Sequence, residues 1–174
     1  QTRVSCNMGY HYAAGKKVGC HAHPSPADLT QSIMMSCNAY YCSIFRDILD
    51  NKKYSSVSEA FNRWREIVAS FGFGQKLGSD FPAELGGNLP TTATYDKIHG
   101  KGRWKSLSVI SLSIGQGEMG TTPLHLANLA ATIASRGYYY TPHIVKNTPD
   151  STSKKKKKKK RYTLVDTTHF HKII

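Results

Sequence analysis

The chain has 174 residues, of which 39% are hydrophobic, 10% aromatic and 20% charged. That length is one ordinary domain or a piece of a larger one, and the apolar share fills a core, so a wholly disordered or collagen-like chain is excluded. Lys and Arg number 24 against 11 Asp and Glu, a formal charge of +13, but eight of those cations form one run from Lys154 to Arg161.

Without the run, 16 basic residues face 11 acidic ones, which is a mildly basic globular surface. The run itself repels, buries nothing and reads as a solvated loop or linker over 149–161 rather than a nucleic-acid tail. No apolar stretch reaches the roughly 18 residues that cross a bilayer, and no signal-peptide pattern opens the chain. Gln1 is not a natural start, so further sequence is expected upstream, and any membrane anchor or export signal would lie there.

In chain order, residues 1–27 read as an irregular Cys/His-rich loop region, because Gly9, Gly15, Gly19, Pro24 and Pro26 interrupt any period. Asp28 opens a helix as its N-cap, with Gln31 in the capping-box position and Leu29 and Ile33 on one face. A second helix is predicted from about Ser36 to Leu49, with Tyr40, Ile44, Phe45, Ile48 and Leu49 buried. A third covers Val57 to Ser70 and carries Phe61, Trp64, Ile67 and Val68.

From Phe71 to Pro90 glycine and proline dominate, the composition of loops and turns. Lys105 to Ile114 alternates loosely and predicts a short buried strand. Thr122 caps a helix that Pro123 opens and Gly137 stops, with Leu126, Leu129, Ala130 and Ile133 on its core face. Tyr138 to Val145 reads as a strand broken by Pro142, and Tyr162 to Val165, within 162–174, as a short returning strand.

Two constellations carry chemistry. Cys6, Cys20, His21, His23 and Cys37 follow the spacing C-x13-C-x2-H-x13-C. Thiolate and imidazole in a set of four suit tetrahedral zinc, although this spacing is no standard finger. A Cys6–Cys20 disulfide and free buried thiols at Cys37 and Cys42 are the competing readings. Ser36-Cys37-Asn38 is the second constellation; alone, it reads as a helix cap. The Gly-rich Ser113-Ile114-Gly115-Gln116-Gly117 lacks the G-K-[ST] of a phosphate loop and is expected to be a structural turn.

Three segments in order resemble one family. Asp28 to Tyr41 reads D-L-T-Q-S-I-M-M-S-C-N-A-Y-Y, Phe71 to Pro90 contains F-G-F-G and G-S-D-F-P-A-E-L-G-G-N-L-P, and Ser111 to Val145 contains S-I-G-Q-G, T-T-P-L-H-L-A-N and P-H-I-V. The set is similar to the transpeptidase domain of class B penicillin-binding proteins, the cell-elongation type above all. The resemblance covers most of residues 1–148 and implies an α/β (α+β) chain: an incomplete β-lactamase/D,D-transpeptidase-like fold, mostly its helical part with a few strands.

The implied activity is serine acyl transfer on D-Ala-terminated peptidoglycan stem peptides, with β-lactams as suicide substrates. Such sites use S-x-x-K, S-x-N or S-x-D, and K-T-G. Here Ser36-Cys37-Asn38 matches the second motif, which makes Ser36 the proton-relay hydroxyl and Asn38 the orienting amide. The other two motifs are expected before Gln1 and after Ile174, so the 174 residues alone are expected to be inactive. Ser151-Thr152-Ser153-Lys154 fits S-x-x-K only as a string.

Some members of the family hold zinc through the middle residue of the second motif, which implies Cys6, Cys20, His23 (or His21) and Cys37 as structural ligands. The resemblance also implies a parent protein anchored in the bacterial inner membrane and facing the periplasm, with elongation-machinery membrane proteins as partners and no nucleic acid. A zinc-stabilised basic module that binds nucleic acid through the lysine run is the rival. It requires duplex affinity that falls steeply with salt and disappears when Lys154 to Arg161 are deleted.

Overall fold

The computed structural model describes residues 2–145 and 159–165. The chain divides into two compact units, 1–62 with 91–118 and 63–90 with 119–174. No helix among the described residues is long and apolar enough to cross a membrane.

The first unit opens with structure where an irregular loop was expected. Strands β1 (Gly9–Ala13) and β2 (Lys16–Gly19) form an antiparallel hairpin with Gly9 opposite Gly19 and Tyr10 opposite Val18. The glycines that break a helical or strand period here serve the hairpin's ends. Helix α1 (Leu29–Met34) starts at Asp28, whose carboxylate accepts from the Gln31 N–H at 2.9 Å while the Gln31 side chain accepts from the Asp28 N–H, the expected capping box. Its Ile33 is 60% exposed and Ser32 is the buried residue, so the apolar period does not set its inner face.

Helix α2 (Asn38–Leu49) buries Ala39, Tyr40, Cys42, Phe45 and Leu49 and packs against the hairpin, α1 and a 3₁₀ helix at Ser106–Ile114. That 3₁₀ helix replaces the predicted strand. Ser106, Val109, Ile110 and Leu112 are its buried residues, a spacing that a three-residue turn presents better than a two-residue pleat. It ends in the expected glycine turn: Gly115 takes φ 72°, and at Gly117 (φ 86°) an added Cβ would meet the Ser111 hydroxyl at 2.8 Å.

Helix α3 (Val57–Ser70) has the predicted bounds. In the first unit its Phe61 meets Tyr95 and Trp104 with ring centroids 5.4 and 5.6 Å apart. Tyr95 lies on α4 (Thr92–His99), a helix the Gly/Pro-dominated reading of the preceding segment missed. Thr91 caps it, and the buried Tyr95 hydroxyl donates to Glu118 at 2.8 Å.

The second unit is organised by polar groups. Helix α5 (Pro123–Ala134) has the predicted cap and bounds, but its predicted core face is turned outward. Leu126 is 52% and Ile133 36% exposed, while His125, Asn128 and Thr132 are buried. His125 Nε2 meets the Gln75 carbonyl at 2.9 Å and its Nδ1 meets the Thr122 hydroxyl at 2.9 Å. Asn128 donates to the Phe71 carbonyl at 2.9 Å. The carbonyls of Phe71 and Gln75, in and just after the F-G-F-G segment, belong to no strand, and the helix turns inward the side chains that bond to them.

Strands β3 (Tyr138–Tyr140) and β4 (Lys160–Tyr162) pair antiparallel, with Tyr138 opposite Tyr162. Lys160 and Arg161 therefore belong to a strand and not to the solvated linker predicted for 149–161. Lys160 Nζ sits 3.8 Å from the Tyr138 ring centroid, a cation–π contact. Lys154 to Lys158 and Ser151-Thr152-Ser153 lie outside the described residues, as do residues 166–174.

Two further links bind the family-like segments within this unit. Asp80 accepts from the N–H groups of Ile144 and Val145 at 2.8 and 2.9 Å. Glu84, 7% exposed, accepts from the N–H groups of Leu77, Gly78 and Ser79 and from the Ser79 hydroxyl. Burial alone would push the Glu84 carboxyl up, but the Ser79, Leu77 and Gly78 donors outweigh it and hold it below the ordinary range.

A folded value below the unfolded one means that this carboxylate stabilises fully above about pH 4.3, and that the stabilisation is lost as pH falls through the folded value. Glu84→Gln is expected to cost about 2–3 kcal/mol at neutral pH, because an amide turns a donor toward converging N–H groups. The thermal midpoint should fall by about 4–12 °C, and the difference from the parent should shrink below about pH 4. A difference that persists unchanged at low pH would contradict this role.

Candidate metal centre and relay motif

The sequence gap between Cys6 and Cys20 is the length of the β1–β2 hairpin. Cys6 stands before its first strand and Cys20 after its second, where the Cys20 N–H donates to the Met8 carbonyl at 3.1 Å. The chain then turns so that His23 comes back to Cys20, and α1 delivers Cys37. The ligand atoms of Cys6, Cys20, His23 and Cys37 all lie within 4.8 Å of one another. His21, the alternative ligand, is exposed; its ring packs edge-on to His23 at 5.4 Å and is outside the group. The four cysteines are free thiols, with no Cys6–Cys20 bridge.

Three observations test whether these residues fit a metal. Cys20 Sγ and His23 Nε2 are 3.6 Å apart, close to the edge of about 3.5 Å in a tetrahedron with ordinary Zn–S and Zn–N bonds. His23 Nδ1 meets the Pro24 carbonyl at 2.9 Å, which makes Nδ1 the protonated nitrogen and leaves the Nε2 lone pair facing the sulfurs. Each sulfur also receives backbone N–H groups: Gly9 to Cys6, Asn38 and Ala39 to Cys20, and Tyr40 to Cys37 at 3.4 Å. Donors converging on three sulfurs suit thiolates. The set fits zinc.

The same contacts split the thiols. At Cys6, burial and the neighbouring sulfurs outweigh the Gly9 N–H and push the thiol up to about 11. At Cys20, burial opposes charge, but the Asn38 N–H, His23, Cys6 and the Ala39 N–H together bring it down to about 7. Asn38 and Ala39 are the first two residues of α2, so the Cys20 sulfur sits on the positive end of a helix. Cys42, also fully buried, accepts instead from the Ser113 hydroxyl at 3.3 Å and stands apart from the group.

The Ser36-Cys37-Asn38 motif is built on this junction. Cys37 and not Ser36 is the N-cap of α2. Ser36 belongs to the end of α1: its N–H donates to the Ile33 carbonyl and the Cys37 N–H to the Ser32 carbonyl at 3.0 Å, while Ser36 takes φ 49°. This is a Schellman ending with serine at the left-handed position that glycine usually fills. It leaves the Ser36 side chain exposed beside a fully buried Cys37. Asn38 is half-buried, and its Nδ2 donates to the carbonyl of Gly19, the neighbour of Cys20, at 2.9 Å. The backbone partners at Gly9, Gly19 and Pro24 were missed from sequence. Only the glycine three places after Cys6 hinted at them.

The penicillin binding protein transpeptidase domain family matches residues 1–173 of the chain. The chain belongs to the penicillin-binding protein transpeptidase family. It is 35% identical over 121 residues to the peptidoglycan D,D-transpeptidase MrdA of Acinetobacter baumannii, a match covering 70% of this chain and 16% of that protein. The chain thus matches only a small part of that relative's length.

Penicillin-binding protein 2 (PBP2) from Helicobacter pylori has the same fold, with a TM-score of 0.76 at 20% identity over 99% of this chain and 29% of that one. The complex between PBP2 and MreC from the same organism aligns with a TM-score of 0.69 at 22% identity, again over 99% and 29%. These likenesses bear out the transpeptidase-like α/β fold and the PBP2 resemblance, and they do not favour a nucleic-acid module.

Ser36→Gly removes a side chain from a left-handed position that costs a non-glycine residue about 1 kcal/mol. The variant should melt about 1–4 °C higher than the parent in a thermal scan. A lower midpoint would contradict the strained geometry.

Proposed function

We propose that the chain is part of a membrane-anchored, periplasm-facing serine D,D-transpeptidase that cross-links peptidoglycan stem peptides in cell-wall elongation. The observation that carries this reading is the junction of α1 and α2. An exposed hydroxyl, Ser36, and an amide, Asn38, flank a buried cap on the S-x-N positions of a chain that matches the transpeptidase family throughout. A serine nucleophile attacks only when a base takes its proton, and the departing amine must receive one.

In this reading the S-x-x-K serine and lysine and the K-T-G strand come from the parent protein outside these residues. The Ser36 hydroxyl passes the proton on to the leaving amine. The Asn38 side chain, its Nδ2 tethered to Gly19, presents its remaining polar atoms to the lysine and the substrate carbonyl. MreC-like membrane proteins of the elongation machinery are partners, by analogy with the PBP2–MreC complex, and β-lactams acylate the parent enzyme.

We further propose that Cys6, Cys20, His23 and Cys37 hold a structural zinc ion. The ion supplies a closed cross-link between the hairpin and the start of α2 and takes no part in acyl transfer.

In the parent protein, Ser36→Ala and Asn38→Ala should each slow acylation by a fluorescent penicillin about 100-fold or more, with the fold unchanged by circular dichroism. The 174-residue chain alone should not be labelled. Stable labelling of that chain, abolished by denaturation, or unchanged rates in both variants would overturn the assignment.

The purified chain should carry about one zinc ion. Stripping it should lower the thermal midpoint by more than about 10 °C, the shift expected for a loss of about 5 kcal/mol. Well under one zinc per chain with freely titrating thiols would remove the metal proposal.

A further inference from the structure

The four-residue group is asymmetric toward solvent. Cys37 is completely buried, whereas Cys6 and Cys20 are partly exposed. Each lies in an open stretch of chain: Ser5 and Asn7 flank Cys6, Gly19 and His21 flank Cys20, and all four are exposed. The Cys6 and Cys20 sulfurs are already within 4.8 Å, and a disulfide needs about 2.05 Å. Both backbones are anchored close by, through Cys6 N–H to the Ser25 hydroxyl at 2.8 Å and Cys20 N–H to the Met8 carbonyl at 3.1 Å.

Resting on the zinc reading above, we propose that Cys6 and Cys20 are a modification site for hydroperoxides, and that their oxidation to a disulfide opens the metal group and releases the start of α2. In the first step the Cys20 thiolate attacks one oxygen of the peroxide. An S–O bond forms, the O–O bond breaks, and hydroxide leaves to be protonated by solvent. In the second, the Cys6 thiolate attacks the Cys20 sulfur. The S–S bond forms, the S–O bond breaks and a second hydroxide departs.

Two thiolates have then given two electrons to one hydrogen peroxide, which has taken two protons and left as two waters. Cys37 and His23 remain, and two ligands do not make a closed zinc site. The Asn38 and Ala39 N–H groups lose the thiolate they faced, so the chemical state of the clasp is felt at the residues beside Ser36. A dithiol reductant with zinc reverses the change.

The experiment uses the 174-residue chain purified under reducing, oxygen-free conditions, with zinc measured first. Hydrogen peroxide is then added in steps, with released zinc followed by a chromogenic chelator and thiols mapped by peptide mass spectrometry. The proposal predicts one zinc ion released per chain as two of the four thiols disappear, a Cys6–Cys20 linked peptide as the product, Cys37 and Cys42 still reduced, and recovery with dithiothreitol and zinc. Cys42→Ser should behave as the parent does.

Retention of zinc while thiols are consumed, a disulfide that includes Cys37, or a sulfinic acid at Cys20 without a disulfide would each overturn the inference and leave the zinc reading standing. A chain that carries no zinc before peroxide is added overturns both.

Discussion

A helix cannot satisfy its own first N–H groups, and the start of α2 solves that problem with sulfur. Asn38 and Ala39 present their N–H groups to Cys20, and Tyr40 donates to Cys37, before the first intrahelical bond forms between the Tyr41 N–H and the Cys37 carbonyl. Everything distinctive in the first unit follows from that choice. The hairpin must bring Cys20 to the helix end, α1 must stop three residues short of α2, and serine must take a left-handed turn between them. The residue that caps the helix is also the buried member of the metal-ligand group and the middle of the S-x-N motif.

The metal-ligand group and the Ser36-Cys37-Asn38 motif meet at one residue, Cys37. Cys37 points inward, and its neighbours on either side are left for other work. Ser36 is exposed because the Schellman turn reverses the chain at that residue. Asn38 is held through Gly19, which ties its side-chain amide to the far end of the hairpin. The second unit uses carboxylates for the corresponding task. Glu84 gathers three backbone N–H groups and a hydroxyl inside a glycine-rich loop, and Asp80 collects two more from the P-H-I-V segment. Short chain segments are fixed in both units by acceptors that take several N–H groups each.

How much of this was legible in the sequence depended on the kind of signal. Caps and periodic helices were readable: Asp28 with Gln31, the bounds of α3, and Thr122-Pro123 before α5 are local patterns whose physics does not depend on distant residues. The inner face of α5 was not, because burial there follows the bonds that His125 and Asn128 make to the carbonyls of Gln75 and Phe71, which no window around the helix contains. The 3₁₀ helix over Ser106–Ile114 was mistaken for a strand because loosely spaced Leu, Val and Ile residues satisfy either period over so short a span.

At the site, residue types gathered Cys6, Cys20, His21, His23 and Cys37, the family resemblance pointed to Cys6, Cys20, Cys37 and one of the two histidines, and only the turn that brings His23 Nε2 to Cys20, with Nδ1 on the Pro24 carbonyl, separates His23 from His21. The assignment of the cap to Ser36 failed for a similar reason. Serine is the commoner cap by propensity, but the register of α1 places Ser36 at its left-handed ending and hands the cap to Cys37.

In the zinc reading, metal-held thiolates secure the first turn of α2. Amide hydrogen exchange resolved at Asn38, Ala39 and Tyr40 tests it most directly, with the zinc-loaded chain compared against the chelator-stripped, reduced chain. These three amides should exchange at least about tenfold faster after stripping, a change of about 1.4 kcal/mol in local opening, while amides in the middle of α5 stay as they were. Equal exchange at all three positions in the two samples would show that the helix start holds without the clasp.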